Sequence, residues 1–86
     1  MPEISRFLGI IITMYYREHN PPHFHVRYGG QTAEMAIQSL AIISGRLTPR
    51  VLGLVTEWAA LHRDELLEDW NLAREHAELK RIPPLE

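Results

Sequence analysis

The chain has 86 residues, no cysteine, five histidines and a formal net charge of −2. These numbers point to a single domain over residues 1–86. They exclude a disulfide scaffold, a thiolate zinc site, a cysteine nucleophile and nucleic-acid binding by bulk charge alone. Apolar runs such as Gly9-Ile10-Ile11-Ile12 are far below the ~20 residues a membrane span needs, and Met1–Arg6 lacks the pattern of a signal peptide, so the expected compartment is cytoplasmic, with no membrane partner.

In chain order, Gly9–Tyr16 is rich in β-branched and aromatic residues and predicts a strand, closed by the turn-forming cluster Glu18-His19-Asn20-Pro21-Pro22. His23–Tyr28 alternates polar and apolar residues, the period-2 signature of a half-buried strand. Gly29-Gly30 suits a two-residue hairpin loop, because glycine accepts positive φ. Gln31–Ile37 alternates again, and a fourth short strand is expected over Leu40–Ser44, ended by Gly45.

The second half has helical spacing. Thr48-Pro49 offers an N-cap and a proline in the first turn. Val51, Val55, Trp58 and His62 then form one stripe, which slips to Leu66, Trp70, Ala73 and Ala77. One straight helix from Pro49 to His76 would be about 42 Å long, too long for a chain whose radius of gyration should be roughly 12 Å. A bend or break is therefore expected near His62-Arg63-Asp64, with Asp64 capping the second helix. Ile82–Leu85 should be extended.

These periodicities combine into an α+β fold: a small antiparallel sheet of three or four strands followed by two C-terminal helices, or one bent helix, packed on one face. A Gly29-Gly30 hairpin pairs Phe24 with Met35 and Val26 with Ala33 on the covered face, and His25 with Glu34 and Arg27 with Thr32 on the other. A five-residue loop in the preceding hairpin would add Tyr15 and Arg17 to that polar face.

Three histidines within seven residues, around a double proline, form the strongest chemical feature. His23 and His25 are candidate acid and base for phosphodiester cleavage, with Glu34 orienting His25. Arg17 and Arg27 would meet phosphate, and Tyr15, with Tyr16 and Tyr28, would offer stacking surfaces to unpaired bases. In this reading no cofactor is needed. An alternative makes His19, His23 and His25 ligands of a zinc-, copper- or nickel-class ion. A third reading is structural: the rings cap the turn and pair with Glu34 and Glu18. His62 and Trp58 suit the helix core, and His76 suits a helix end. The run Asp64, Glu65, Glu68 and Asp69 suits a helix start or a docking face. No phosphate-binding glycine loop or serine-hydrolase motif is present.

Pro2–Phe7, Gly9-Ile10, Met14-Tyr15-Tyr16 and His19-Asn20-Pro21-Pro22-His23-Phe24-His25-Val26 resemble a small bacterial family, the domain of unknown function numbered forty-one sixty. Glu57-Trp58-Ala59, Leu61-His62, Glu65-Leu66-Leu67, Trp70 and Ile82–Leu85 extend the resemblance over essentially the whole chain. It implies a companion: members are commonly encoded beside a second small family, in an arrangement like a toxin–antitoxin pair. It supplies no site residues. The expectation is a component of such a two-gene module that binds or cleaves RNA. The alternative is a non-catalytic protein-binding module that docks through its acidic helix and whose histidines are structural or hold a metal.

Overall fold

Alternating strands come first and helices second, as the change of hydrophobic period requires. In the computed structural model, which describes residues 2–86, the strands are β1 (Glu3–Phe7), β2 (Ile10–Thr13), β3 (His23–Tyr28), β4 (Gln31–Ala36) and β5 (Ile42–Gly45). The helices are α1 (Pro49–Leu61) and α2 (Arg63–Arg74). The fold is α+β. The strands form one antiparallel sheet in the order β1-β2-β3-β4-β5.

The sheet has five strands where three or four are expected. The additional one is β1. Its turn to β2 is Leu8-Gly9, with φ of 52° and 81° and Phe7 paired to Ile10. Two consecutive positive φ values match a tight hairpin turn, for which Asn-Gly is the usual signal. Leucine in the first position conceals it. β1 belongs to the core all the same: Ile4 and Phe7 are buried.

The β3–β4 hairpin has the expected register, with Phe24 opposite Met35, His25 opposite Glu34, Val26 opposite Ala33 and Arg27 opposite Thr32. The β2–β3 pair departs from the five-residue-loop register. β2 ends at Thr13, which faces His25 where Tyr15 was expected. Met14 is buried and its amide donates to the Pro2 carbonyl (3.1 Å). Arg17, at φ 60°, then turns the chain away from the sheet. The fourth expected strand, Leu40–Ser44, starts two residues later, because Leu40 has φ 60° and its amide closes a turn onto Ala36.

The helices break where length demands it, at His62, whose amide still donates to the Trp58 and Ala59 carbonyls. His62, not Asp64, occupies the cap position of α2, and its ring meets Glu65 Oε1 at 2.5 Å. Thr48 caps α1 by position only, with no side-chain bond. Trp58 is fully buried, 5.4 Å from the Phe7 ring and 5.9 Å from Phe24, and its indole donates to the Pro83 carbonyl (2.8 Å). The tail is thus held down, and the Ile82 amide donates to Ile4 (2.8 Å). The radius of gyration is 11.6 Å. Among the described residues no helix is long and apolar enough to cross a membrane.

Replacing Leu8 with Asn should stabilise the protein by about 0.5–1 kcal/mol, since Asn tolerates positive φ and Leu8 is exposed. Gly45→Ala should destabilise it by at least about 2 kcal/mol, because φ is 82° and an added Cβ would lie 2.2 Å from the Thr32 carbonyl oxygen. Urea denaturation of both variants checks the opposite signs. A second expectation concerns acid. Hydrogen bonds from Arg6 and Arg81 hold the Glu3 carboxyl down from the ordinary 4.5 to about 2. A carboxyl lowered by folding adds stability above its unfolded value and loses it as pH falls toward the folded one. Melting curves of wild type and Glu3→Gln should therefore differ most above pH 4.5 and converge as pH approaches about 2.

Candidate functional site

Strand alternation sends Phe24, Val26, Ala33 and Met35 to the core and the residues between them to the other face. That face is open except at its His23 end, where Trp70 of α2 packs against the imidazole. A groove of about 220 Å³ runs over it, lined by Ile11, Thr13, Tyr15, His25, Arg27, Thr32, Glu34 and Ser44, among others. Arg27 is exposed and has no hydrogen-bond or ion-pair partner among the described residues.

At one end of this groove lie two imidazoles and two carboxylates. His25 Nε2 is 2.5 Å from Glu18 Oε1, and the Tyr15 ring stands edge-on to the imidazole at 4.4 Å. His23 is buried behind it, 5.4 Å from the His25 ring and 5.2 Å from that of Trp70. His23 Nδ1 is 2.8 Å from the Pro21 carbonyl oxygen. A carbonyl only accepts, so Nδ1 carries the proton and donates. His23 Nε2 has no hydrogen-bond partner and faces Glu18 Oε1 at 3.3 Å and Glu34 Oε1 at 3.5 Å. A smaller cavity, about 210 Å³, opens on the other side of the cluster between Glu18, His19, His23 and Glu34.

The expected site residues thus divide. Tyr15, His23, His25, Arg27 and Glu34 share this face or its edge. Glu34 lies opposite His25 in register, yet its ion contact is to His23, and Glu18 is the carboxylate on His25. Arg17 is elsewhere: the turn that begins after Met14 directs it to His76, whose Nε2 accepts from Arg17 Nε at 2.5 Å. His76 closes the C-terminus of α2, as expected, with φ 58° and its amide donating to the Ala73 carbonyl, and its ring stacks on Tyr16 at 5.7 Å. His19 is exposed and outside the cluster whose donor atoms lie within 4.8 Å of one another, which is Glu18, His23 and His25. In sequence, Glu18 stands out only as a structural partner of these rings. Its role at the centre depends on the fold-back through Asn20-Pro21-Pro22, whose first X-Pro bond is cis.

The acidic run is mostly consumed inside the molecule. Glu65 meets His62, and Glu68 meets Lys80 Nζ at 2.5 Å. Asp69 is buried and accepts from the Lys80 amide at 2.9 Å. Burial pushes the Asp69 carboxyl up, against the lowering effect of that hydrogen bond. These contacts fasten the tail to α2 and leave Asp64 as the member of the run without an internal partner among the described residues.

The open polar sheet face beside a His/Glu cluster is the site that this small α+β fold builds. Residues 9–71 match the family described as a domain of unknown function (DUF4160), and the chain belongs to that family. The matched segment includes the whole cluster and Arg27, and it leaves out β1 and the tail. No curated protein and no solved structure matches the chain.

Burial separates the two imidazoles energetically. His23→Ala should remove packing against Trp70 and destabilise the fold by about 2–3 kcal/mol, whereas His25→Ala, at the groove, should cost about 1 kcal/mol. Urea titration of the two single variants checks the order.

Proposed function

We propose that this protein binds single-stranded RNA on the open face of its sheet, as one member of a two-gene, toxin–antitoxin-like module. The observation that carries the RNA reading is Arg27, an unpaired guanidinium on a groove whose other end holds Tyr15 and His25. A guanidinium meets phosphate bidentately, and an aromatic ring beside a groove gives an unpaired base a stacking surface. A face of this kind uses local positive charge, so it is compatible with a net charge of −2. The module reading rests on the family resemblance and implies a small companion protein.

The geometry favours binding over cleavage by a histidine pair. Both His23 Nε2 and His25 Nε2 face the same Glu18 oxygen, and His23 is buried. An acid and a base that divide the work of phosphodiester cleavage stand on opposite sides of the phosphate, each within reach of it. The acidic helix offers a partner less than its sequence suggests, since three of its four carboxylates are engaged internally.

Arg27→Ala should weaken binding to single-stranded RNA about tenfold and lower the salt slope by roughly 0.7, similarly across sequences. Tyr15→Ala should weaken it between about five- and a hundredfold. Filter or fluorescence binding with labelled oligonucleotides measures both. Equal affinity in wild type and Arg27→Ala would sink the assignment. Cleavage that is present in wild type and lost in a folded His23→Ala/His25→Ala variant would restore the catalytic pair.

A further inference from the structure

We propose that Glu18, His23 and His25 form a binding site for one zinc-class divalent cation, with Glu18 Oε1 and the two Nε2 atoms as ligands. The inference stands apart from the RNA reading and begins with an electrostatic mismatch. His23 Nδ1 donates to the Pro21 carbonyl. In a neutral ring, Nε2 then presents a lone pair. That lone pair is buried, has no hydrogen-bond partner, and faces two carboxylate oxygens at 3.3 and 3.5 Å. Acceptors facing acceptors in a buried place repel one another, and a positive charge among them removes the repulsion.

The spacing suits a shared cation. The three donor atoms lie within 4.8 Å of one another. Two ligands bound to one zinc ion at about 2.0–2.1 Å sit roughly 3.3 Å apart at a tetrahedral angle. The His23–Glu18 separation is 3.3 Å. The 2.5 Å His25–Glu18 hydrogen bond would open slightly as the cation replaces its proton. The tautomer is also set in advance: a metal-ligating imidazole ordinarily donates its other N–H to a carbonyl or carboxylate, as His23 does to Pro21.

Imidazole and carboxylate together suit zinc, nickel, copper or iron better than calcium or magnesium, which prefer all-oxygen shells. Two carboxylates, Glu18 and Glu34, provide the compensating negative charge. The cavity between Glu18, His19, His23 and Glu34 leaves a fourth position open to water or to Glu34. The arrangement is thus three protein ligands with one exchangeable site. His19, the third imidazole of the motif, has no part in it.

The test is calorimetric titration of the purified, chelator-stripped protein with Zn²⁺, and visible absorption with Co²⁺, near neutral pH. The expected result is one ion per chain, a Co²⁺ spectrum of a four- or five-coordinate site, and a melting temperature raised by zinc. Glu18→Gln and His25→Ala should each weaken binding at least about tenfold, while His19→Ala changes it less than about twofold. Circular dichroism establishes that each variant is folded, and Glu18→Gln keeps the test decisive should a His23 variant fail to fold. Absence of saturable wild-type binding below roughly 100 µM overturns the proposal. Binding retained in folded Glu18→Gln and His25→Ala but lost in His19→Ala overturns it as well.

Discussion

The pairing of β3 with β4 is the constraint on which the rest of the molecule depends. One register decides two surfaces at once. It sets Phe24, Val26, Ala33 and Met35 against Trp58 and the helices, and it sets His25, Arg27, Thr32 and Glu34 on the open side. A slip of one residue would turn one strand over relative to the other, burying either His25 and Arg27 or Thr32 and Glu34. The Gly29-Gly30 turn holds that register, with Gly29 at φ 57°. Trp58 completes the arrangement from the other side, because its indole joins α1, β1, β3 and the C-terminal tail in one contact set.

Several charges in this chain serve the fold. Glu3 gathers Arg6 and Arg81, Glu68 and Asp69 hold Lys80, and Arg17 is taken up by His76. In so short a chain the core is small, and these contacts fasten segments that apolar packing alone reaches poorly. Arg27 and the Glu18–His23–His25–Glu34 cluster stand out against that background. The first is an unpaired charge that lines the groove of the sheet face, and the second has a buried ring nitrogen opposed to acceptors. A buried polar atom left in this condition is uncommon in folded proteins, and it is a reasonable place to look for a ligand.

Particular residues show why some of this was legible in sequence. Alternation in His23–Tyr28 and Gln31–Ala36 yields the central hairpin, because a period of two has one solution once the turn is known. Helix stripes and simple length yield the break at His62. β1 was hidden by Leu8, an apolar residue in a conformation that normally selects asparagine or glycine. Arg17 lies off the expected face because the backbone leaves the sheet after Thr13, although strand propensity continues through Tyr15 and Tyr16. Nothing local in Met14-Tyr15-Tyr16 announces that the Met14 amide is bound to Pro2.

The α+β class, the central register, the helix break, and the placing of His23, His25, Arg27 and Glu34 around one face are all encoded locally. All of these follow from short-range periodicity and turn chemistry, which act over a few residues. Only the tertiary structure decided which groups meet. It put Glu18 on His25, turned Glu34 toward His23, and left His19 outside. It also sent Arg17 to His76, 59 residues away. The physical reason is that the loop from Met14 to Pro22 has no repeating pattern. Its course is set by contacts with Pro2, Ile37 and His76, which no local rule contains.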